Sequence, residues 1–524
     1  MKLSINILLS VLFQLTYGYK ILVYNPRFRA SHVAFMGKIA DTIADAGHDV
    51  VVYQPILEKT LTKNGCSNSN IKFFFNKYEQ SGPEEIKDDT WGDDTFGKLF
   101  HIVTGIRNQR KSHCEFVLTD HKNHELLKRE KFDVAIVQIY ESCGFAVLDI
   151  LGINKYIATY SGSTMPTINS YLGIPQSPSS VPALFSSYTE KMNFFERTGN
   201  FIGTLLEYYM MGQLLIDGSQ EAVDEAFMKI NINEKINNAA FLFLNSDELI
   251  DFISPITPKA IYIGALGRTI PSKPLEQKYL DIFDSTKSGV IYISFGTVVL
   301  SKDMPLHLKR AFLEAFSEFP DVNFIWKYEN ESDDIAKGYN NVFTFSFLPQ
   351  NDLLDHPKLL AFITHGGMNS ITESVIKGIP TIAIPMLGDQ NHNAKMLEAK
   401  ETGIRLLKHH ITKDLLVSTI RKILNDDSYK KNAKQLSRMV KAKPMSAEEK
   451  VVKYTEFAAE FGDTKALQSE GRNLHWVQLY SIDVVAFLLV IFFLFLFFFY
   501  KFVSFVIHKF NKFFTSIDPP KKHD

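Results

Sequence analysis

The stretch from Phe347 to Gln390, FLPQNDLLDHPKLLAFITHGGMNSITESVIKGIPTIAIPMLGDQ, decides the reading of this chain. Its apolar run LLAFIT ends at Thr364, two glycines follow His365, and helix-forming residues begin near Asn369. The pattern predicts a strand, a tight turn and a helix. Gly366 and Gly367 let backbone approach a ligand closely, and the helix start offers unpaired N–H groups and the positive end of its dipole to an anion. A diphosphate meets those requirements. His365 and Ser370 can donate to its oxygens, and Glu373, one turn on, can accept from both hydroxyls of a ribose. The next apolar run, TIAIPML, ends in Gly388-Asp389-Gln390. Side chains at the carboxyl end of a parallel strand face the ligand crevice, so an acceptor–donor pair there can read sugar hydroxyls.

The rest of the chain repeats one theme. KILVYNP, the amphipathic SHVAFMGKIADTIADAG and HDVVVYQP form a strand-helix-strand unit, and FDVAIVQIY, LGINKYIATY and AAFLFLNS read as later strands. The pattern restarts after ITPKAIYIGALGR with GVIYISFGT, DMPLHLKRAFLEAFSEFP and NFIWKYEN. Alternation of this kind implies an α/β chain of two doubly wound, Rossmann-like parallel-sheet domains facing a cleft. Residues 19–268 form the first and 278–475 the second, with a proline-bearing linker at 269–277. Helical segments after Asn425 are expected to pack back across both domains. At 524 residues the chain is too long for one domain. Its net charge of −1 gives no sign of nucleic-acid binding.

The ends carry targeting information. Residues 1–18 have one lysine, the apolar INILLSVLF and small residues at Thr16 and Gly18, the form of a cleavable secretory signal. Val484 to Tyr500 is uncharged and long enough, at about 25 Å as a helix, to cross most of a bilayer. With snorkelling at Lys501 the span extends over 484–506. Lysines follow it and Asp483 precedes it, so the positive-inside rule puts the tail, 507–524, in the cytosol and the large body in the lumen. Cys66, Cys114 and Cys143 are the only cysteines. Three allow one pair, with Cys114 and Cys143 the expected partners and buried free thiols the alternative. Asn330-Glu331-Ser332 is a glycosylation sequon in a polar stretch.

The joint spacing of Phe347, Gln350, His365, Asn369, Ser370, Glu373, Asp389 and Gln390 resembles the donor-binding signature of the UDP-glycosyltransferases. IYISFGT, SHVAFMGKIADTIADAGHDVVV, GIPQSPSSVPALFSSYTEKMNFFERTGN and LHWVQLYSIDVVAFLL extend the likeness over essentially the whole chain, in the layout of the animal membrane-bound UDP-glucuronosyltransferases. The resemblance implies the GT-B arrangement, with UDP-sugar as donor and a small lipophilic acceptor bearing a hydroxyl, carboxyl or amine. It implies that Phe347 stacks on uracil where tryptophan is common, that Gln350 contacts the nucleoside, and that Ser294 and Thr297 hold the diphosphate. It implies no cofactor and no metal, and no Asp-x-Asp motif occurs. The final KKHD resembles the dilysine retrieval signal of endoplasmic-reticulum membrane proteins, which with the one apolar span implies a single-pass protein of that membrane; the alternative is that the basic tail is a topology signal only. Homo- or hetero-oligomers stay open.

Transfer to a hydroxyl needs a base for the acceptor proton. His32, after the first strand, matches the family's catalytic histidine. The carboxylate that normally orients it, Asp or sometimes Glu, is replaced here by Gln138. Gln can accept from imidazole but cannot offset its charge. Glu141, three residues on, is the candidate substitute and needs a turn or bulge to reach His32. Leu244 stands where several glucuronate-using relatives have arginine, which leaves a neutral hexose open as the sugar. The expected function is inverting transfer of a hexosyl or glucuronosyl group. The alternative is a membrane-anchored UDP-sugar-binding or regulatory protein with little catalysis.

Overall fold

The computed structural model describes residues 18–77, 91–92, 96–186, 188–267, 272–297, 299–462 and 464–515. Nearly all of the signal segment, Arg268 and the first three residues of the expected linker, most of the stretch around Lys87 to Gly97, and the terminal Lys521 and Lys522 lie outside them.

Thirteen strands among the described residues form two sheets. β1 (Lys20–Tyr24), β2 (Asp49–Ile56), β3 (Lys72–Lys77), β4 (Val134–Gln138), β5 (Tyr156–Tyr160), β6 (Leu242–Leu244) and β7 (Ala260–Tyr262) are ordered 3-2-1-4-5-6-7. β8 (Gly289–Ser294), β9 (Val322–Lys327), β10 (Val342–Phe345), β11 (Leu359–Thr364), β12 (Thr381–Ala383) and β13 (Gly403–Arg405) are ordered 10-9-8-11-12-13. Every strand pair is parallel. β1, β4 and β5 are apolar almost throughout because helices cover both faces of the sheet. In each sheet the chain order reverses once, between β1 and β4 and between β8 and β11, and ligands bind outside the strand ends at such a reversal.

One apolar cluster belongs to both sheets. It runs from Ile21, Val23 and Phe35 through Met368, Ile371 and Val375 to Leu436, Val451 and Ala458. The helices Asp427–Lys441 and Ala447–Phe461 close it. The first packs on the helix Met368–Lys377, and the second returns to the N-terminal sheet, where Lys155 donates to the carbonyls of Ala459 and Glu460 at 2.7 and 2.9 Å. Trp91 crosses in the other direction, its indole N–H donating to Leu300 O at 3.0 Å and its ring lying edge-on to Phe295. Residues 18–468 thus share one compact body.

The second unit is the segment from Ser469 onward. Its helix Ile482–Thr515 has 34 residues, about 50 Å in length, and could span a membrane. It continues nine residues beyond the expected end at 506. Phe510, Phe513 and Phe514 recur at helical spacing around Lys509 and Lys512, so the pattern gives no signal to stop.

A disulfide joins Cys114, in the helix Phe96–Leu118, to Cys143, just after β4, across 29 residues, while Cys66 is free. Cys143→Ser should lower unfolding stability by about 2–4 kcal/mol. Thermal unfolding of the solubilised protein should show it, and reductant should shift the wild type toward the variant while leaving the variant unmoved.

Candidate functional site

The residues expected to meet an anion come together at the end of β11. Gly366 has φ 85°, a left-handed value suited to glycine, and Gly367 stands at the helix N-terminus with no side chain capping the first turn. The N–H groups there are therefore open to an anion. The His365 ring is wedged between two glycine turns. A Cβ at Gly367 would lie 2.5 Å from His365 Nε2, and one at Gly296, φ 89°, 2.7 Å from Cε1. Burial first, and the Lys327 charge second, push the imidazole pKa down to about 4, so at neutral pH His365 is an uncharged hydrogen-bond donor. Lys327, at the end of β9, donates to Gly296 O at 2.5 Å and brings an ammonium to the same turn. Ser294 is buried and its Oγ accepts from the Gly296 N–H at 3.3 Å, whereas Thr297 is exposed. Of the two, Thr297 has the freer hydroxyl.

The nucleoside side is a network. Gln350 donates through Nε2 to Glu373 Oε2 at 2.6 Å and to Ser370 Oγ at 3.2 Å, and accepts from the Tyr292 hydroxyl at 3.2 Å. Phe347 is 71 % exposed, an unobstructed face for a base to stack on. At the end of β12, Gln390 Oε1 accepts from the Met386 and Leu387 N–H groups at 2.9 and 3.1 Å, which leaves its amide nitrogen as the sugar-side donor. Asp389 accepts from Asn393 at 2.8 Å, and burial raises its pKa.

The opposing site comes from the N-terminal sheet. His32 lies in the first turn of the helix Ala30–Asp45, at the carboxyl end of β1. Its Nδ1 is 2.8 Å from Gln138 Oε1, at the end of β4, and 2.6 Å from Ser161 Oγ, just beyond β5. Tyr140 and Phe28, which stack on each other, both lie beside the ring and tilted to it, 4.3 and 4.9 Å away between centroids. Burial first, then the charges of Arg110 and Arg29, push the His32 pKa down to about 3, against the hydrogen bond from Gln138. The two sites meet: Asn245 Nδ2 donates to Asn369 Oδ1 at 3.4 Å, and Tyr160 feels Asp389 from one sheet and Tyr140 and Arg110 from the other.

Glu141 does not take the orienting place. A 3₁₀ turn, Ile139–Glu141, follows β4 directly and carries the carboxylate inward, to 3.5 Å from Arg110 Nη1 and 3.9 Å from His113 Nδ1, at 1 % exposure. Arg110 in turn stacks its guanidinium on Tyr140, 4.4 Å away. Leu244 is fully buried in the core of the first sheet and does not face the cleft, so its identity carries no information about the sugar. Sequence reading missed Ser161 and Lys327. Each stands at or just past the end of a recognised strand, the one signal that could have found them.

Two facing parallel sheets, an uncapped helix start for a diphosphate and a histidine opposite it define a GT-B glycosyltransferase. The family profile described as "UDP-glucoronosyl and UDP-glucosyl transferase" matches residues 19–515, and the chain belongs to that family as a UDP-glycosyltransferase enzyme. It is 29% identical to UDP-glucosyltransferase 2 of Dactylopius coccus over 507 residues, covering 94% of each chain. It is 26% identical to human UDP-glucuronosyltransferase 1A6 over 505 residues, covering 94% of this chain and 92% of that one. Among solved structures, the fold is similar to a UDP-glucosyltransferase from Polygonum tinctorium, with TM-score 0.57, 15% identity and coverage of 85% and 99%. A UDP-glucose:anthocyanidin 3-O-glucosyltransferase in complex with UDP gives TM-score 0.54, 16% identity and coverage of 84% and 99%.

Removing one member of a buried ion pair strands the other. Glu141→Ala should therefore destabilise the protein by about 3–5 kcal/mol, read by denaturant unfolding. A variant as stable as the wild type but without turnover would instead return Glu141 to an orienting role.

Proposed function

We propose that this enzyme transfers a hexosyl or glucuronosyl group, with inversion, from a UDP-sugar to a hydroxyl, carboxyl or amine of a small lipophilic acceptor. The observation that carries the reading is the His32 environment: Nδ1 is engaged by Gln138 and Ser161, which leaves Nε2 as the lone pair that takes the acceptor proton. The acceptor oxygen then attacks the anomeric carbon as the bond to UDP breaks. The departing diphosphate keeps the electron pair, met by the helix N–H groups at Met368, by His365 and by Lys327. Attack opposite the leaving group turns an α-linked donor into a β-linked product. Phe347 and Gln350 hold the nucleoside, Glu373 the ribose, and Asp389 and Gln390 the sugar. The diphosphate is neutralised by these groups, with no metal and no cofactor. The protein works in the endoplasmic-reticulum membrane, its body lumenal and its basic tail cytosolic. The signal-like start, the apolar helix Ile482–Thr515 and the lysines after it support that topology.

UDP release from microsomes supplied with UDP-glucose or UDP-glucuronate and pooled phenolic and aliphatic acceptors tests the activity. Release should require an acceptor, proceed with one donor, and fall about 10²–10⁴-fold in His32→Ala while UDP binding persists. Release undiminished in that variant would remove His32 as the base.

The pH profile follows from the lowered His32 pKa. A base must be deprotonated to act, so a lower pKa moves the acid limb of kcat/KM to lower pH. Activity should stay nearly level from pH 7 to pH 5, where a base at the ordinary imidazole pKa would have lost about 30-fold. An acid limb centred near 6.5 would contradict this environment for His32.

A further inference from the structure

His32 Nδ1 has two oxygen neighbours, and an imidazole nitrogen carries at most one proton. Gln138 Oε1, at 2.8 Å, can only accept. A bare Nδ1 would set its lone pair against that oxygen, so the ring proton belongs on Nδ1. Ser161 Oγ, at 2.6 Å, then accepts from the same N–H and directs its own proton elsewhere.

We infer that Ser161 is a positioning residue for His32: its hydroxyl oxygen and the amide oxygen of Gln138 together hold the ring proton on Nδ1, two neutral groups in the place of one carboxylate. The inference rests on His32 being the base.

Sheet order produces the arrangement. His32, Gln138 and Ser161 follow three neighbouring strands, β1, β4 and β5, at their carboxyl ends. Gln138 is in register with Thr159, two residues before Ser161, so the hydroxyl stands one step past the sheet edge, beside the ring. The stacked pair Phe28 and Tyr140 packs against the ring, and the two oxygens fix the direction of Nδ1.

The charges around the ring are those of Arg110 and Arg29, and the Glu141 carboxylate is turned to Arg110 and His113. The imidazolium formed during turnover therefore meets dipoles and two repelling guanidinium charges, with no carboxylate turned to it. Acceptors that hold their proton loosely, such as phenols and carboxylic acids, ask least of such a base and should outpace alkyl alcohols on the same donor.

The test compares Ser161→Ala, Ser161→Thr, Gln138→Asp and the Gln138→Asp/Ser161→Ala double variant in the full-length protein, beside His32→Ala. Ser161→Ala should lower kcat about 10-fold, the equivalent of one hydrogen bond to the base, with UDP affinity and donor KM unchanged. Ser161→Thr should restore most of the loss. Gln138→Asp should move the acid limb of kcat/KM to higher pH and narrow the gap between phenol and alkyl alcohol. In that background Ser161→Ala should cost little, because a carboxylate holds the Nδ1 proton alone. An unchanged kcat and pH profile in Ser161→Ala, or the same loss in both backgrounds, would overturn the inference. So would an equal loss of UDP affinity and thermal stability, which marks a purely structural serine. Activity surviving in His32→Ala would refute the base itself, an outcome separate from all of these.

Discussion

At Met368 a helix begins without a side chain to cap it, at the end of a strand beside the point where the sheet order reverses. Its first N–H groups need an acceptor, and the surrounding residues leave room for one. Gly366 takes a backbone angle that side chains resist, and Gly296 and Gly367 leave space for nothing but the His365 ring. Lys327 leans on the same turn from the neighbouring strand β9. An uncapped helix end in a folded protein is a deficit of about 1 kcal/mol or more, tolerated where a ligand makes it good. The placement of Gly296, Gly366, Gly367 and Lys327 follows from that one requirement.

The N-terminal half solves a different problem, holding a half-buried imidazole still without a counter-charge. Its solution is stiffness. The helix Phe96–Leu118 is tied to the segment after β4 by the Cys114–Cys143 disulfide and by the Arg110–Glu141 pair. Tyr140 stands just before the two ties and packs on His32. Buried pairs of this kind add little net stability compared with apolar packing, so the covalent tie is the stronger of the two.

What the sequence made legible, and what it did not, divides by range. The residues expected to hold the donor could be grouped from the sequence because they lie on one strand-turn-helix and the segment after the next strand, where spacing along the chain is close to spacing in space. His32 and Gln138 were readable as strand-end residues. Ser161 was not, because its neighbour is set by which strand lies beside β4, and strand order cannot be read from periodicity. Lys327 was missed for the same reason, on β9 beside β8. Glu141 was misplaced by a single 3₁₀ turn, too short to leave a pattern, that swings its side chain inward. The short strands β3, β10 and β13 also went unread, since three to six residues at a sheet edge or end carry little periodic signal.

The apolar cluster common to both sheets has a further consequence for the rhythm of turnover. Ile21 and Phe35 from one half share a core with Met368, Ile371 and Val451 from the other, and the returning helix Ala447–Phe461 is tied back to the first half at Lys155 and Gly267. Prising the halves apart would wet that core at about 25 cal/mol for every Å² exposed. A wide hinge is therefore a poor route for spent nucleotide. UDP more readily leaves by loosening the rim, where Phe347 is already in solvent and Gln350 can trade partners without disturbing the core. The pace of the cycle then becomes a property of a few rim side chains, which can be slowed or quickened by substitution while the joined core stays as it is.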